Sequence, residues 1–591
     1  MEKNIIKYIK EALETIYKVD VSNLSISVEK TREGIDGDFT VVVFPFVKYT
    51  KKKPEDTARD LGVFIKSRFE DISSYNVIKG FLNLSMTQEY WIERLNSLIS
   101  KDKKPSDNAQ TVMVEFSSPN TNKPLHLGHI RNNLIGDSVS RILAAAGNKV
   151  IKVNLINDRG IHICKSMLAW MKWGENSTPK SAGIKGDKFV GNYYVLFDKY
   201  YKEQIAELVS SGLKADEAKD KAPLMLEARE ILKKWEANDT EIKRIWEMMN
   251  SWVYEGFEET YNNLGISFDK IYYESNTYLS GKNLVVKGIE NGIFTRDEDS
   301  SVWIDLSDEG LDRKILLRSD GTTVYMTQDL GTAFQRFEEF NPEKLIYVVG
   351  NEQDYHFQVL KKILNKFESG YANRIEHLSY GMVELPDGKM KSREGTVVDA
   401  DDLMQEMIFS ARKLSEENGK INELPKNERE EIIKEIALGA LKYYIIKVDP
   451  KKQMIFNPSE SIDFNGNTGP FIQYAYARIS SILRKAESMK IKFNGKVSEE
   501  TQLLDCEIKL VSMLTEFDNT VYESARKLDP GIIANYIYNL VKEFNQFYHD
   551  HSILKEKDSK ILQFRLLLSL RLANTIKTGM NLLGIEVPEV M

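Results

Sequence analysis

The sequence predicts an α/β protein built on a doubly wound parallel sheet of Rossmann type with a helical insertion. A small α/β domain precedes the sheet and an all-α bundle follows it. Three observations carry this. First, the short apolar runs T-V-M-V-E-F, V-I-K-V-N-L-I and K-L-I-Y-V-V-G, beginning at residues 111, 150 and 344, alternate with long helical patterns, as strand–helix–strand units do. Second, charged helical sequence interrupts that alternation over about 176–300. Third, from about residue 425 to the end the apolar spacing is helical throughout. With 591 residues and 42% hydrophobic composition, the chain has length for about three or four domains.

Residues 1–108 read as the first domain, with an amphipathic helix (Ile5, Ile6, Tyr8, Ile9, Leu13, Ile16), a β-rich run T-V-V-V-F-P-F-V and a helix through Leu61 to Phe69. Lys48 to Lys53 form a basic patch, in which Lys51, Lys52 and Lys53 fit a solvated loop as well as a functional patch. The polar stretch K-D-K-K-P-S-D-N at 101–108 reads as a linker. The sheet domain spans 109–424, with the insertion at about 176–300, and the bundle spans 425–591. In the bundle, Tyr443, Tyr444, Tyr474, Tyr476, Tyr536 and Tyr538 recur at helical spacing. Tyr536, Tyr538, Phe544, Phe547 and Tyr548 could stack on bases, but the same spacing suits a bundle core, which is the preferred reading.

Composition excludes several classes. Charged residues make up 29% without a low-complexity tract, so a folded chain is expected. The start, M-E-K-N-I-I-K-Y-I-K, lacks an apolar h-region, and no run reaches the roughly 18 apolar residues of a membrane span. The two cysteines, Cys164 and Cys506, cannot build a Cys-rich zinc site, and a reducing cytoplasm is the expected compartment. A net charge of -7 argues against non-specific nucleic-acid binding, while leaving room for local basic patches.

The chemistry concentrates in S-S-P-N-T-N-K-P-L-H-L-G-H, residues 117–129. Strand 111–116 runs into a turn, and after Gly128 the apolar spacing turns helical through Ile130, Leu134, Ile135, Val139, Ile142, Leu143 and Ala146 to a stop at Gly147. His126 and His129 therefore sit where a strand's C-terminal end meets a helix N-terminus, the place that attracts phosphate in open α/β sheets. Gly128 lets a base or ribose approach the backbone, and two imidazoles can donate to phosphate oxygens. The spacing is not the i,i+4 of H-E-x-x-H, so no protein-bound metal is expected. There is no Walker A sequence and no G-x-G-x-x-G. A second piece, D-G-K-M-K-S-R-E-G-T-V-V at 387–398, is a glycine-flanked lysine loop that can stabilise a departing pyrophosphate.

Together these two motifs resemble the H-I-G-H and K-M-S-K-S signatures of class I aminoacyl-tRNA synthetases. The wider context is similar to the arginyl-tRNA synthetase family. It comprises V-E-F-S-S-P-N-T-N-K-P-L-H-L-G-H-I-R-N-N-L-I-G-D, V-N-L-I-N-D-R-G, V-Y-M-T-Q-D-L, V-V-G-N-E-Q-D-Y-H-F-Q, D-F-N-G-N-T-G-P-F-I-Q-Y-A-Y-A-R-I and the ending through M-N-L-L-G-I-E-V-P-E-V-M. The resemblance covers most of 111–591 and is weakest in 1–108 and in the insertion. It implies formation of arginyl-adenylate from L-arginine and ATP with Mg2+, then transfer of arginine to tRNA(Arg). It also implies tRNA-dependent activation, a monomer, an N-terminal domain at the tRNA elbow and an anticodon-binding bundle.

The resemblance also assigns residues. Glu115, Ser117, Asn120, His129, Tyr325, Asp329 and Gln353 fall at arginine-contacting positions, with Glu115 and Asp329 as the candidate carboxylates for a guanidinium or α-amine. His126, Gly128, His129, Gly350, Lys389 and Met390 fall on the ATP side. The lysine loop is degenerate, because Ser392 stands at the second lysine's place with Lys391 one position early. In family members with such loops a lysine just before the H-x-G-H stretch compensates, and here that is Lys123. Rival readings are a cysteinyl or glutamyl synthetase, a small nucleotidylyltransferase and a non-catalytic tRNA-binding paralogue. Two cysteines, a carboxylate-bearing pocket, the long helical domain and intact His126, His129 and Lys389 weigh against them in turn.

Overall fold

The computed structural model describes residues 2–22, 24–32, 34–98, 109–367, 370–386, 398–418, 423–491, 495–498 and 500–591. Its contacts divide the chain into two compact units.

The first unit joins Met1–Lys101 to Ser481–Phe517 and Lys542–Thr575. Its four-stranded antiparallel sheet has the order β1-β2-β4-β3, with β1 at Val28–Lys30, β2 at Phe39–Val42, β3 at Ile72–Ile78 and β4 at Phe81–Met86. Phe39 and Val41 of β2 face Leu84 and Leu82 of β4, and all four are buried, the period-2 pattern of a sheet with one covered face. The unit reaches beyond residue 108 because the helix Gln88–Ser97 packs on the helix Asp505–Thr515. Asn96 exchanges hydrogen bonds with Val497, Nδ2 to O at 3.1 Å and N to Oδ1 at 3.0 Å. Arg565 is buried between Glu507 and Glu556, at 2.8 and 3.0 Å. Phe544 and Phe547 are buried here, so they serve the core rather than a base-stacking surface.

The second unit comprises Asp102–Ser480, Asp518–Val541 and Ile576–Met591. Its five-stranded sheet is parallel throughout, order β12-β11-β5-β6-β7, with β5 at Thr111–Glu115, β6 at Lys149–Ile156, β7 at Lys270–Tyr273, β11 at Lys344–Gly350 and β12 at Ile375–Tyr380. The chain winds outward from β5 through β6 to β7, then returns to the other side of β5 for β11 and β12. The order therefore reverses at β5 and β11, and ligands bind at such a switch point, outside the strands' C-terminal ends. Between β7 and β11 lies a small antiparallel sheet, order β10-β9-β8, formed by β8 (Thr295–Arg296), β9 (Val302–Ile304) and β10 (Lys314–Leu317).

The helices Ile161–Trp173, Gly186–Ser210, Pro223–Glu236 and Thr240–Leu264 fill the interval between β6 and β7. The segment 176–300 is thus not purely an insertion, because β7 completes the main sheet from within it. Its four residues are too few for periodicity to reveal. After residue 425 the long elements are helical, and Tyr443 is fully buried, its hydroxyl donating to Asn467 Oδ1 at 2.7 Å or to Ala534 O at 3.0 Å. Among the described residues, no helix is long and apolar enough to cross a membrane.

Candidate active site

His126 is the N-cap of the helix Leu127–Ala145. Its Nδ1 accepts the Gly128 N–H at 3.1 Å, and its own N–H donates to Nδ1 of His129 at 3.2 Å. This is a capping box with imidazoles in place of the usual hydroxyl and carboxylate. The rings lie 4.0 Å apart. Burial, helped by the charge of Lys123, pushes His126 down to about 3, and burial pushes His129 far below its usual range. Both rings are therefore neutral at pH 7. Because each Nδ1 is an acceptor, the single ring proton of each sits on Nε2. Each ring can then donate one hydrogen bond to a phosphate oxygen.

Lys123 belongs to the same cluster. Burial lowers its amine, and among the described residues no carboxylate offsets that. Such a half-buried ammonium, beside two N–H donors and a helix N-terminus, is an electrostatic invitation to an anion. Lys389, Met390 and Lys391 lie outside the described residues. The chain that follows them is placed: Leu127 N–H donates to Val398 O at 3.3 Å, Ala400 N–H donates to Leu125 O at 2.9 Å, and His126 bridges Asp399. Val398, the last residue of the second motif, and the two residues after it thus lie along Leu125–Leu127. Lys185 grips Asp401 at 2.5 Å and Lys188 grips Asp402 at 2.8 Å, tying this junction to the insertion.

The turn after β5 is unusual. Ser117 and Ser118 both adopt left-handed backbone, φ 75 and 46, which costs non-glycine residues of order 1 kcal/mol or more each. Side-chain amides hold the turn in place: Asn132 Oδ1 accepts the Ser117 N–H at 2.5 Å and Asn154 Oδ1 accepts the Ser118 N–H at 3.0 Å. Asn132 also donates to Val348 O at 2.7 Å, stitching β5 to β11 at the switch point. The Ser117 hydroxyl shares a hydrogen bond with Tyr261 at 2.6 Å, whereas Asn120 is exposed. Glu115 is buried, ion-paired with the fully buried Arg336, and accepts from Ser118 Oγ at 3.0 Å.

Tyr325 and Asp329 lie on the helix Tyr325–Phe340. Tyr325 is 75% exposed. Asp329 Oδ2 bonds His356 Nε2 at 2.6 Å. Gln353 is exposed in the turn after Gly350. Facing this helix is Glu274, which opens the helix Glu274–Glu290. Its carboxyl is buried and pushed up to about 7, first by burial, with Asp158 and Asp329 adding to it and Arg159 opposing. Asp158 anchors the start of that helix, accepting from Ser275 N at 2.8 Å and Ser275 Oγ at 2.7 Å. The two helices cross at glycines. A Cβ on Gly281 would lie 2.2 Å from Thr327 O, and one on Gly331 would lie 2.3 Å from Gly281 N. Larger residues at either position would push Glu274 away from Asp329.

With this geometry in hand, comparison with known proteins is decisive. Residues 94–457 match the family described as tRNA synthetases class I (R), catalytic domain; residues 3–86 match the arginyl tRNA synthetase N terminal domain; and residues 472–591 match the DALR anticodon binding domain. The chain is 54% identical to the arginine–tRNA ligase of Phocaeicola vulgatus and 53% identical to that of Bacteroides thetaiotaomicron, covering 100% of both partners in each case. The chain belongs to the arginyl-tRNA synthetase family. The Thermus thermophilus arginyl-tRNA synthetase superposes with a TM-score of 0.78 at 26% identity over 100% of both chains. The Plasmodium falciparum enzyme shares the fold, with a TM-score of 0.74 at 21% identity, over 100% of this chain and 99% of that one.

As a class I aminoacyl-tRNA ligase the synthetase uses ATP, and the neutral His126–His129 pair with Lys123 presents hydrogen-bond donors and positive charge at a helix N-terminus. Four residues that the structure places beside the candidate site, Glu274, Asp158, Asn132 and Arg336, were not legible in the sequence. Glu274 had no local signal, being one of 88 Asp and Glu residues inside a segment read as insertion. Asn132 and Arg336 lie on helical faces where polarity reads as solvent exposure. Their burial, 6% and 0% exposed, emerges only with the sheet.

Proposed function

We propose that this chain joins L-arginine to tRNA(Arg) with a division of labour that follows its geometry. A carboxylate oxygen of arginine attacks the α-phosphorus of ATP, a P–O bond to pyrophosphate breaks, and arginyl-adenylate forms. A hydroxyl of the tRNA's terminal adenosine then attacks the arginyl carbonyl and AMP leaves. No protein nucleophile is needed, so catalysis is positioning and charge stabilisation. On the ATP side stand Lys123, His126, Gly128, His129 and Gly350, joined by Lys389, Met390 and Lys391. Mg2+ enters with the triphosphate. On the arginine side stand Ser117, Asn120, Tyr325, Asp329 and Gln353, with Glu274 added. Asp329 and Glu274 take the guanidinium, because Glu115 already neutralises Arg336.

The observation that carries this reading is a lysine with no carboxylate beside it among the described residues and two N–H-donating imidazoles at one helix N-terminus, together with the carboxylate cluster of Glu274, Asp158 and Asp329. A glutamyl enzyme would need the opposite charge there. Residues 1–108 and 425–591 are proposed to contact the tRNA elbow and anticodon respectively, and the enzyme is proposed to work as a cytoplasmic monomer. The test is tRNA charging with each amino acid: arginine alone gives product, and only with tRNA(Arg). Charging with any other amino acid, or none, refutes the reading.

A further inference from the structure

Arg336 has no role in the reaction as derived so far, yet it is among the most deeply placed charges in the molecule. It is 0% exposed and forms an ion pair with Glu115. Its guanidinium lies 4.9 Å from the Tyr272 ring centre and 5.6 Å from that of Tyr347, on the strands β7 and β11 that flank the site. The Glu115 carboxylate keeps Arg336 charged despite its burial. A buried ion pair seldom adds net stability over apolar packing, because desolvating both charges offsets their attraction. Its position explains it better.

Arg336 follows Asp329 on the same helix, about two turns on and hence on nearly the same face. Glu115 ends β5 and accepts from Ser118 Oγ at 3.0 Å, in the left-handed turn that presents Ser117 and Asn120. An unbroken chain of contacts thus runs from the helix carrying Tyr325 and Asp329, through Arg336 and Glu115, to Ser118 and the turn.

We infer that Arg336 is a positioning residue for amino-acid activation, which acts through Glu115 to hold the Ser117–Asn120 turn and the Tyr325–Asp329 helix at the separation that arginine bridges. This rests on the reading of the chain as an arginine–tRNA ligase. The pair also directs specificity. By neutralising Glu115 with the chain's own guanidinium, it leaves Glu274 and Asp329 as the carboxylates that meet the substrate. One guanidinium nitrogen meets Glu115 while the planar group lies against the Tyr272 and Tyr347 rings; a lysine carries the charge but lacks that flat face, so it is not held in the same direction.

The test uses the full chain with Arg336→Lys, Glu115→Gln and the double variant Arg336→Met/Glu115→Gln, in ATP–pyrophosphate exchange with tRNA(Arg) present, alongside thermal unfolding. Arg336→Lys raises the KM for arginine about tenfold or more while the KM for ATP stays within about twofold, because misplacing substrate-holding groups by around an ångström is that costly. Glu115→Gln gives the same split. The double variant, which buries no unpaired charge, unfolds at a higher temperature than Glu115→Gln but keeps the raised arginine KM. An unchanged arginine KM in Arg336→Lys overturns the proposal, and so does a parallel rise in both KM values. Should Arg336→Lys not fold, the double variant decides by the same split. A wild-type chain without arginine-dependent exchange refutes the functional reading instead, and the two failures are distinct.

Discussion

The backbone N–H of His126 holds the His129 ring in a single protonation state by donating to its Nδ1 at 3.2 Å, while His126 Nδ1 itself accepts from the Gly128 N–H at 3.1 Å. One pair of side chains thus closes the helix N-terminus and directs both ring protons to Nε2. Replacing His126 by Ala removes a cap and a donor together. The cap costs about 1 kcal/mol of stability, and the lost donor lowers kcat for ATP–pyrophosphate exchange about 100-fold or more. Unfolding and exchange measured on one preparation check both. A loss of stability without a loss of kcat would leave His126 a structural cap only.

The same pair makes a statement about acid. The folded His126 stays neutral down to about 3, because of burial and the charge of Lys123, whereas the unfolded ring takes a proton near 6.5. Below that value the unfolded state binds more protons, so this group's contribution to stability is complete above pH 6.5 and is lost as pH falls from there towards 3. Glu274 and Asp187, pushed up to about 7 and about 6 by burial, act in the opposite sense over part of this range. The informative quantity is therefore a difference. Between pH 6.5 and 5 the thermal midpoint of wild type falls more steeply than that of His126→Gln, and parallel curves would contradict the assignment.

How far the sequence discloses this arrangement depends on the range of each interaction. The strand–turn–helix around Ser117–His129 is local: apolar runs, a turn and a helical spacing lie within a single stretch, so its place at a strand end is legible. The meeting of Leu125–Leu127 with Val398–Ala400 is not local, and only the resemblance to paired motifs points to it. Glu115–Arg336 and Asn132–Val348 are side-chain choices made by a sheet whose neighbours are distant in sequence. Parallel sheets bury both faces, so polar residues there look like surface until the strands are ordered. The strand β7 escaped for the same reason, being four residues among long helices.

The ion pairs at the base of the lysine loop predict a coupling to the insertion. Lys185 holds Asp401 at 2.5 Å and Asp187 at 3.4 Å with its side chain only 16% exposed, and Lys188 holds Asp402 at 2.8 Å. Breaking a largely buried pair is costly, whereas the exposed Lys188 pair is worth little. Lys185→Met therefore lowers exchange kcat about tenfold, and Lys188→Ala changes it less than twofold by the same reasoning. Equal effects of the two variants would show that this junction does not carry the coupling.

The proposed role of Lys123, to supply the charge that the degenerate lysine loop lacks, predicts a ranking of two variants. The Lys123 amine is lowered by burial, and a phosphate beside it would favour the charged form. Lys123→Ala lowers ATP–pyrophosphate exchange about 100-fold, the scale of losing one charged donor to the reacting phosphates. Lys391→Ala retains more activity than Lys123→Ala. The reverse ranking, with Lys123→Ala near wild type and Lys391→Ala inactive, would move the role to the loop.

Glu274 gives arginine recognition its own pH dependence. Its folded carboxyl titrates near 7 because it is buried beside Asp158 and Asp329. Arginine's guanidinium is charged at every accessible pH, so it selects the carboxylate form. Above pH 7 that form is already present and binding carries no protonation cost. Below 7 the free site holds a proton that must leave, and the KM for arginine rises, approaching about tenfold per pH unit if Glu274 alone is responsible. The KM for ATP, set at the His126–Lys123 corner, does not follow that curve. Glu274→Gln removes the pH dependence and raises the arginine KM at pH 8 by about 30-fold or more, equivalent to about 2 kcal/mol or above for a lost buried charge partner. Exchange assays from pH 6 to 8.5 on both proteins decide it. An arginine KM that is flat in wild type across that range would remove Glu274 from the pocket and leave Asp329 as the sole carboxylate for the guanidinium.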